Sequence, residues 1–346
     1  MKQIGHDLAR GAAIRKPFSP RSCYTTAMTN AWQKTMIALA RSPVAKRLAQ
    51  RTIGSSALAR QYVGGADAAE AVNTARELLS RCAIAASLFH LGEYVDTPQL
   101  AESNFQAKIA AARLAGEAGI DVHVSVDPTQ LGYLFDPEGA EARMAAIADA
   151  IRVAAAGRSG VHMLMLDMED ASVTDATIAL HDTMARAGLP VGLTLQAYRH
   201  RTLEDLRRAI ETGARVRLVK GAFAAGPPLA LQKEREIKAN YRKLISLMLS
   251  PQAKSAGFYP VIATHDTALH DHARHEARSH GWQPGEYEFE MLLGVRTNVA
   301  EALAREGERV RLYVPFGPDW WPYAVRRIGE NPRNALLLAR SAVSRD

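Results

Sequence analysis

The chain contains three short, largely apolar segments in close succession: His162-Met-Leu-Met-Leu-Asp-Met168, Val191-Gly-Leu-Thr-Leu-Gln-Ala197 and Val216-Arg-Leu-Val-Lys220. Helical patterns of apolar residues separate them over Thr174–Ala187 and Leu203–Thr212. Each segment has the length of a buried strand, and each interval has room for a helix. The pattern therefore predicts parallel strands joined by helical crossovers.

The same alternation continues on both sides of this region. It predicts further strands at Ile84–Phe89, Val122–Val126, Tyr259–Thr264, Tyr287–Leu292 and Val310–Val314. It predicts further helices at Gln99–Ala118, Ala140–Ala156, Leu229–Leu249, Ala268–His280, Asn298–Arg305 and Tyr323–Arg340. Eight strand–helix units predict an α/β fold of the (β/α)8 TIM-type barrel class. A doubly wound open sheet is the alternative, but no Gly-x-Gly-x-x-Gly fingerprint follows the first strand.

The chain divides into three predicted parts. Residues 1–30 are basic and contain Ser and Thr, which predicts a disordered N-terminus, with a transit peptide as the alternative. Residues 31–82 carry helical patterns and precede the barrel of residues 83–346. The segment Trp320-Trp-Pro322 begins the last helix, because proline suits a first helical turn. We expect this final helix to lie over the barrel mouth.

The composition limits the classes of function. Of 346 residues, 47% are hydrophobic and 23% charged, and no apolar run has the length of a membrane span. The net charge is +7, but the Lys and Arg residues are interspersed with Asp and Glu, and aromatic content is only 6%. We therefore expect no nucleic-acid binding. The charge suits a small anionic substrate or an anionic membrane surface. Cys23 and Cys82 lack metal-ligand spacing and indicate a cytoplasmic location, with peripheral attachment to the inner membrane left open.

Polar residues stand at the predicted C-terminal ends of the strands, where barrels of this class carry their chemistry. They are Asp127, Asp167, Glu169, Gln196, Arg217, Lys220, Thr264, His265, Glu290 and Tyr313. A barrel interior is otherwise filled with Val, Ile and Leu, so these polar groups need partners or a ligand.

The charged residues allow several interpretations. Asp167 and Glu169 supply the carboxylates that hard cations prefer, and with His265 they allow a metal-dependent barrel hydrolase. The same acids could instead pair with Arg217 and Lys220 across the barrel. Lys220 itself, which a glycine follows, is a candidate for a Schiff base, for phosphate binding or for an internal ion pair.

Two pairs of residues indicate ligand binding. Gln196 and Arg217, on neighbouring strands, offer the hydrogen bonds that a flat heterocycle such as a flavin needs. Arg326 and Arg327, side by side on the last helix, could grip a small carboxylate through their guanidinium groups. The alternative is an exposed basic helix face that pairs with Glu330.

Several motifs, in the order in which they occur, resemble those of the proline dehydrogenase family. They are Leu91-Gly-Glu93, Thr129-Gln-Leu-Gly132, Asp167-Met-Glu169, Leu195-Gln-Ala-Tyr198, Arg217-Leu-Val-Lys-Gly-Ala222, Ala263-Thr-His-Asp266, Glu288-Phe289 and Tyr323-x-x-Arg-Arg-x-x-Glu330. The similarity extends from about residue 62 to residue 338 and points to the monofunctional bacterial type, which is related to one domain of bifunctional proline-utilisation proteins. The family fold is a (β/α)8 barrel that holds FAD non-covalently, in agreement with the alternation of strands and helices.

The resemblance implies oxidation of L-proline to Δ1-pyrroline-5-carboxylate, with hydride transfer to flavin N5 and passage of electrons to a membrane quinone. It implies a catalytic set of Asp167, Arg217 and Tyr313. For the substrate it implies Arg326 and Arg327 at the carboxylate, Tyr313, Tyr323 and Leu292 around the ring, and Glu330 bracing the helix. For the cofactor it implies Gln196 and Arg217 at the isoalloxazine, and Val219, Lys220, Gly221, Ala222, Thr264 and His265 around the rest of FAD.

Departures from the family pattern bear on the substrate rather than on the cofactor. Asp127 stands where many relatives have a lysine that meets the substrate carboxylate, so its negative charge should weaken anion binding. Phe223 replaces a tyrosine, and Phe89-His90 replaces an acidic residue. The alternatives are therefore a flavin-dependent dehydrogenase of another cyclic or secondary amine, or a flavin-binding protein without activity. We count Asp127 among the substrate-site residues in each case.

Overall fold

A computed structural model describes residues 61–92, 95–321 and 323–325 of the chain. Its eight strands pair in parallel and close into a barrel in sequence order. They are β1 (Ala85–His90), β2 (His123–Val126), β3 (Met163–Leu166), β4 (Val191–Gln196), β5 (Arg215–Val219), β6 (Tyr259–Ala263), β7 (Glu288–Leu292) and β8 (Val310–Phe316). The barrel closes where β8 pairs with β1, from the pair Ala85 and Arg311 to the pair His90 and Phe316.

Helices alternate with these strands, so the predicted (β/α)8 barrel is confirmed. They are α1 (Ala68–Cys82), α2 (Pro98–Glu117), α3 (Pro137–Ala155), α4 (Thr174–Arg186), α5 (Thr202–Glu211), α6 (Glu234–Met248), α7 (Pro251–Ser255), α8 (Thr267–Ser279) and α9 (Thr297–Arg305). A short 3₁₀ turn at Pro128–Leu131 follows β2. Within the described residues, no helix combines the length and the apolar character that a membrane crossing requires.

The observed strand ends lie within two residues of the predicted ones. The predicted helix start at Leu229 is wrong, because the corresponding helix, α6, begins at Glu234. The residues before it instead form a turn, in which Ala230 pairs with Arg199 in an isolated antiparallel bridge. The predicted tail and first helices at residues 1–60, and the last helix beyond residue 325, lie outside the described residues.

Capping side chains fix where some helices begin. Asp67 accepts a hydrogen bond from the backbone of Glu70 at 3.0 Å and begins α1. Asp266 accepts one from the backbone of Ala268 at 2.9 Å and begins α8 soon after β6 ends. A carboxylate at this position satisfies a backbone N–H that the helix itself leaves unpaired.

The start of the last helix packs beside the ends of β1 and β8. Trp320 and Trp321 meet edge to face, with ring centres 5.9 Å apart, and residues 323–325 continue the helix. These residues share one apolar cluster with Phe89, and Tyr313 packs against it. The expected position of the final helix over the barrel mouth is therefore confirmed for this first part.

The N-terminal end of the barrel interior holds a group of charged residues that we call the floor network (Arg309, Arg311, Asp121 and Glu288). Arg311 donates hydrogen bonds to Glu288 and to Asp121, both at 2.8 Å. Arg309 donates to the same two carboxylates at 3.2 and 2.6 Å. The hydroxyl of Tyr259 adds a third donor to Glu288 at 3.3 Å. The floor network thus ties β6, β7 and β8 to the loop before β2.

Candidate active site

A buried arginine lies at the centre of the C-terminal end of the barrel. Arg217 on β5 donates from Nη1 to Glu290 on β7 at 2.7 Å and from Nη2 to Asp167, directly after β3. The hydroxyl of Tyr313 on β8 donates to the other oxygen of Asp167 at 2.9 Å. We call these four residues the mouth network. Because it joins four strands, it can form only once the barrel has closed.

Smaller polar side chains from further strands complete the surroundings of Arg217. Its Nε donates to the hydroxyl of Thr194 at 3.1 Å, and both terminal nitrogens lie 3.3 Å from the hydroxyl of Ser125. Ser125 in turn shares a hydrogen bond with Ser87 at 2.9 Å. The guanidinium carbon lies 5.3 Å from the ring centre of Tyr313, which is a cation–π distance. These contacts hold Arg217 in one orientation.

The charges of the mouth network set its protonation. Burial disfavours the charged form of Arg217, but the carboxylates of Asp167 and Glu290 outweigh burial, and the pKa of Arg217 lies above its ordinary value. Burial raises the pKa of Glu290 and raises the pKa of Tyr313 well above the usual range. At neutral pH Arg217 is therefore a cation, and Tyr313 is a neutral hydrogen-bond donor to Asp167.

A further carboxylate beside the network links the ends of β2 and β3. Glu169 accepts hydrogen bonds from the hydroxyl of Thr129 at 2.5 Å and from its backbone N–H at 3.1 Å. Burial raises the pKa of Glu169 to about 7; the charges of Asp170 and Asp167 add to the shift, and the Thr129 hydrogen bonds oppose it. Glu169 therefore positions the turn after β2 and is only partly ionised near neutral pH.

Gln196, at the end of β4, presents an acceptor to the barrel mouth. Its amide nitrogen donates to the backbone carbonyls of Met168 and Glu169 at 2.9 and 3.2 Å, which fixes the orientation of the side chain. Its buried oxygen has no hydrogen-bond partner among the described residues. A buried acceptor that the protein leaves unpaired is costly unless a ligand supplies a donor. Gln196 thus has the property expected of a residue that binds a heterocycle.

The other predicted cofactor residues gather at the ends of β5 and β6, which pair with each other. They are Val219, Lys220, Gly221, Ala222, Thr264 and His265. Gly221 has a φ of +103°, and a Cβ there would collide with the ring of Tyr198, so only glycine fits. Lys220 is exposed and pairs with Glu234 at 2.5 Å, not with the acids of the mouth. Its exposure removes the desolvation that a Schiff-base lysine needs.

Part of the predicted substrate site lies within the described residues. Leu292 ends β7, and its backbone N–H lies 3.4 Å from the ring nitrogen of His265. Tyr323 belongs to the same apolar cluster that Tyr313 contacts. Asp127 follows β2 and begins the 3₁₀ turn, without a side-chain cap hydrogen bond. The remaining predicted residues, Arg326, Arg327 and Glu330, lie outside the described residues.

The metal interpretation lacks a set of ligands in the described part of the chain. Asp167 is occupied by Arg217, and Glu169 by Thr129. No group of three or more His, Cys, Asp or Glu side chains in residues 61–92, 95–321 and 323–325 is placed to hold an ion. Asp167 pairs with Arg217, as the alternative interpretation proposed, but Lys220 pairs with Glu234 instead of with Asp167 or Glu169.

One charged residue near the mouth does not follow from the motifs. Lys108 on α2 is fully buried and donates to the side-chain oxygen of Gln130 at 2.8 Å. The buried positions of α2 recur every three or four residues, at Ala101, Asn104, Lys108, Ala111, Ala112 and Ala115. This spacing places Lys108 on the inner face of the helix and is the only signal in the sequence that could have identified it.

The fold and the mouth network define a barrel enzyme whose chemistry takes place at the C-terminal ends of the strands. Residues 71–340 match the family model described as proline dehydrogenase. The chain is 32% identical over 311 residues to the proline dehydrogenase of Deinococcus radiodurans, with 89% of this chain and 97% of the relative covered. It is 30% identical over 284 residues to proline dehydrogenase 2 of Bacillus subtilis strain 168, with 82% and 90% covered.

Two solved structures of longer proteins share the fold. Proline utilization A from Bdellovibrio bacteriovorus, inactivated by N-propargylglycine, gives a TM-score of 0.73 at 19% identity, with 87% of this chain and 36% of that chain covered. Proline utilization A from Corynebacterium freiburgense gives 0.67 at 22% identity, with 90% and 34% covered. This chain thus spans about a third of each of those proteins. From the family match and the curated relatives, the chain belongs to the proline dehydrogenase family of oxidoreductases.

Proposed function

We propose that this enzyme uses FAD to oxidise L-proline to Δ1-pyrroline-5-carboxylate and passes the electrons to a quinone. The observation that carries the proposal is the mouth network, in which one guanidinium and one phenol hold Asp167 at the C-terminal end of the barrel. This is the end at which barrel enzymes carry out their reactions. A cytoplasmic location, with peripheral contact to the membrane that contains the quinone, belongs to the same proposal.

The residues at the mouth fit an isoalloxazine. The unpaired oxygen of Gln196 can accept a hydrogen bond from a ring N–H, and Arg217 supplies a fixed donor on the neighbouring strand. Gly221 lets the backbone come close to a ligand, and Lys220 offers a positive charge to a phosphate. Val219, Ala222, Thr264 and His265 would hold the remainder of FAD. When bound, FAD supplies the acceptor for a hydride.

The chain itself binds and orients the substrate. Arg326 and Arg327 pair with the carboxylate through charge-assisted hydrogen bonds, and Glu330 braces their helix. Tyr313, Tyr323 and Leu292 pack around the pyrrolidine ring. Anchoring one end of a small molecule in this way fixes the reacting carbon against the cofactor and removes much of the entropic barrier.

Asp167 is positioned by its neighbours for a role in the reaction. Arg217 and Tyr313 each donate to a different oxygen of Asp167, so the carboxylate cannot rotate freely. Its side chain keeps an exposed fraction of 16%, whereas that of Arg217 is 3% exposed. Asp167 is therefore the member of this pair that faces the mouth and can contact a ligand.

A second candidate substrate is another cyclic or secondary amine. Two residues favour it, Asp127 and Phe223, which depart from the family pattern. Phe223 is 41% exposed, and its backbone carbonyl accepts a hydrogen bond from the hydroxyl of Tyr198 at 2.9 Å. The turn after β5 is therefore held through Tyr198, and the Phe223 ring is left at the surface.

The test of the proposed function is the visible spectrum of the FAD-loaded protein, recorded without oxygen before and after addition of L-proline. We expect flavin bands that bleach with L-proline. Bands that persist with L-proline but bleach with another cyclic amine would transfer the proposal to the second candidate. A protein that takes up no FAD on incubation with it would contradict the proposed cofactor.

The same spectrum tests the role of Arg326. In an Arg326→Ala variant, the resting flavin bands should be unchanged, but half-bleaching should need a proline concentration about 30- to 1,000-fold higher, since a charge-assisted pair contributes roughly 2–4 kcal/mol. Arg113→Ala, which removes an arginine from an exposed pair with Glu117, is the matched control. Equal proline requirements in the two variants would show that the carboxylate is held elsewhere.

A further inference from the structure

Lys108 brings a positive charge from a surrounding helix to the edge of the barrel mouth. Its ammonium lies 5.4 Å from the ring centre of Phe89, near the end of β1. That ring in turn lies 5.2 Å from the ring of Tyr313, a member of the mouth network. A lysine is rarely fully buried unless a partner compensates its charge. The burial of Lys108 therefore indicates a function for its charge.

Neighbouring side chains fix the position of the Lys108 ammonium. Gln130, which accepts its hydrogen bond, donates to the backbone carbonyl of His90 at 3.2 Å. Asn104 donates to the backbone carbonyl of Gln130 at 3.1 Å and shares a hydrogen bond with the ring of His90 at 2.9 Å. An ammonium has three donors. In the described part of the chain, only the donor to Gln130 has a hydrogen-bond partner.

The carboxylates that affect Lys108 are those of the proposed substrate site. Burial lowers the pKa of Lys108 to about 8, against the opposing influence of Asp127 first and Asp167 second. The contacts agree with this: Gln130, which accepts from Lys108, lies in the 3₁₀ turn that Asp127 begins, and Tyr313, which packs against Phe89, donates to Asp167. Without Lys108, the carboxylate of a substrate would approach two like charges, those of Asp127 and Asp167. Within the described residues, the nearby guanidinium of Arg217 is already paired. Repulsion of this kind is strong where water is scarce.

We propose that Lys108 is a specificity-determining residue: its ammonium offsets the charges of Asp127 and Asp167 and thereby allows the carboxylate of an amino-acid substrate to bind. This inference rests on the proposed oxidation of an amino acid. An amine of the same shape without a carboxylate does not need this compensation. Lys108 should therefore affect discrimination between the two kinds of substrate.

The test compares L-proline with L-prolinamide, in which a neutral amide replaces the carboxylate, on the FAD-loaded enzyme and its Lys108→Met variant. Methionine keeps the length of the side chain and removes the charge. We expect the KM for L-proline to rise about tenfold or more, and that for L-prolinamide by less than about threefold. Where L-prolinamide turns over too slowly, its inhibition constant replaces the KM. Lys254→Met, which removes a lysine from a pair with Glu286, is the matched control.

A second variant separates compensation of charge from support of the fold. Asp127→Asn, added to Lys108→Met, should restore most of the affinity for L-proline, because less negative charge is left to offset. Should Lys108→Met fail to fold, Asp127→Asn alone should lower the KM for L-proline and should not lower that for L-prolinamide, which has no carboxylate.

Four results would overturn the inference. An equal rise in KM for both ligands in Lys108→Met would show that Lys108 has a structural role only. An unchanged KM for L-proline in Asp127→Asn would show that the charge of Asp127 does not oppose the substrate carboxylate. A wild-type enzyme that does not oxidise L-proline would overturn the proposed function and this inference together. A wild-type enzyme that does oxidise it, with the same discrimination in Lys108→Met, would overturn this inference alone.

Discussion

The barrel encloses two buried arginines with carboxylate partners, Arg311 in the floor network and Arg217 in the mouth network. The two networks differ in how many of their buried polar atoms have hydrogen-bond partners within the protein. In the floor network, Arg311 donates to Glu288, to Asp121 and to the backbone carbonyl of Ala86 at 2.8 Å. Two guanidinium groups face two carboxylates, so the charges balance. None of the four residues carries a buried polar atom without a partner in the described part of the chain.

The mouth network uses the same chemistry but leaves it incomplete. One guanidinium, that of Arg217, serves both Asp167 and Glu290. The second oxygen of Glu290 and the oxygen of nearby Gln196 have no hydrogen-bond partner among the described residues. Burial of an ion pair stabilises a fold only when every group is satisfied. The comparison indicates that the floor network serves stability, whereas the mouth network keeps groups available for a ligand.

Removing the shared carboxylate of the floor network should give the largest effect on stability. Glu288→Ala leaves Arg309 and Arg311 with Asp121 alone, so the free energy of unfolding should fall by about 3–5 kcal/mol. Denaturant unfolding measures the change. Glu117→Ala, which breaks an exposed pair with Arg113, should cost less than about 1 kcal/mol. Similar losses in the two variants would contradict a structural role for the floor network.

Removing the charge of Asp167 should instead affect activity. Asp167→Asn keeps the shape of the side chain, and Arg217 retains Glu290, so the loss of stability should be smaller than in Glu288→Ala. We expect kcat/KM for L-proline to fall by about a hundredfold, because the group that we propose faces the substrate changes its charge and hydrogen bonding. Steady-state kinetics with an artificial electron acceptor measures it. An unchanged kcat/KM would remove Asp167 from the reaction.

The burial of Glu169 at the mouth should make the free energy of unfolding depend on pH. The pKa of Glu169 is raised to about 7 in the folded protein from 4.5, so between these values the folded state binds more protons than the unfolded state. The free energy of unfolding should therefore fall as the pH rises from about 5 to 8, by roughly 2 kcal/mol relative to Glu169→Gln. Denaturant unfolding at several pH values tests this, with Glu77→Gln on α1 as the control. A difference between wild type and Glu169→Gln that does not change with pH would contradict the shift.

The smallest expected effect concerns the unpaired oxygen of Gln196. Gln196→Met should raise the Kd of FAD by about fivefold, since one hydrogen bond contributes roughly 1 kcal/mol and the remaining contacts to the cofactor persist. Quenching of FAD fluorescence during titration with the apoprotein measures the Kd. Gln106→Met, at an exposed pair with Glu102, should leave it unchanged. No difference between the two variants would show that the oxygen of Gln196 does not face the cofactor.

The sequence predicts the mouth better than the floor for a physical reason. Polar residues at the ends of apolar runs, such as Asp167 and Gln196, stand out against the strand pattern, and the fold places these ends together. The floor depends on Arg311 meeting Asp121, which is 190 positions away in the chain. No local pattern encodes such a pairing. It becomes visible only after the barrel closes.

Other features are ambiguous in the sequence because local propensity does not decide them. Lys108 lies in an Ala-rich helical run, and a lysine in such a run is exposed far more often than buried. The start of α6 is shifted from the predicted Leu229 because Leu229 and Leu231 exchange backbone hydrogen bonds with His200 and Tyr198 in the loop after β4. Tertiary contacts determine both outcomes.

The most direct measurement of the difference between mouth and floor is the anaerobic rate of flavin bleaching by L-proline in two matched variants, Asp167→Asn and Asp121→Asn. Each removes one carboxylate charge from a buried arginine without changing the shape of the side chain. Below the melting temperature of both, Asp121→Asn should bleach at nearly the wild-type rate and Asp167→Asn about a hundredfold more slowly. Equal slowing in the two variants would contradict the separation of a structural floor from a functional mouth.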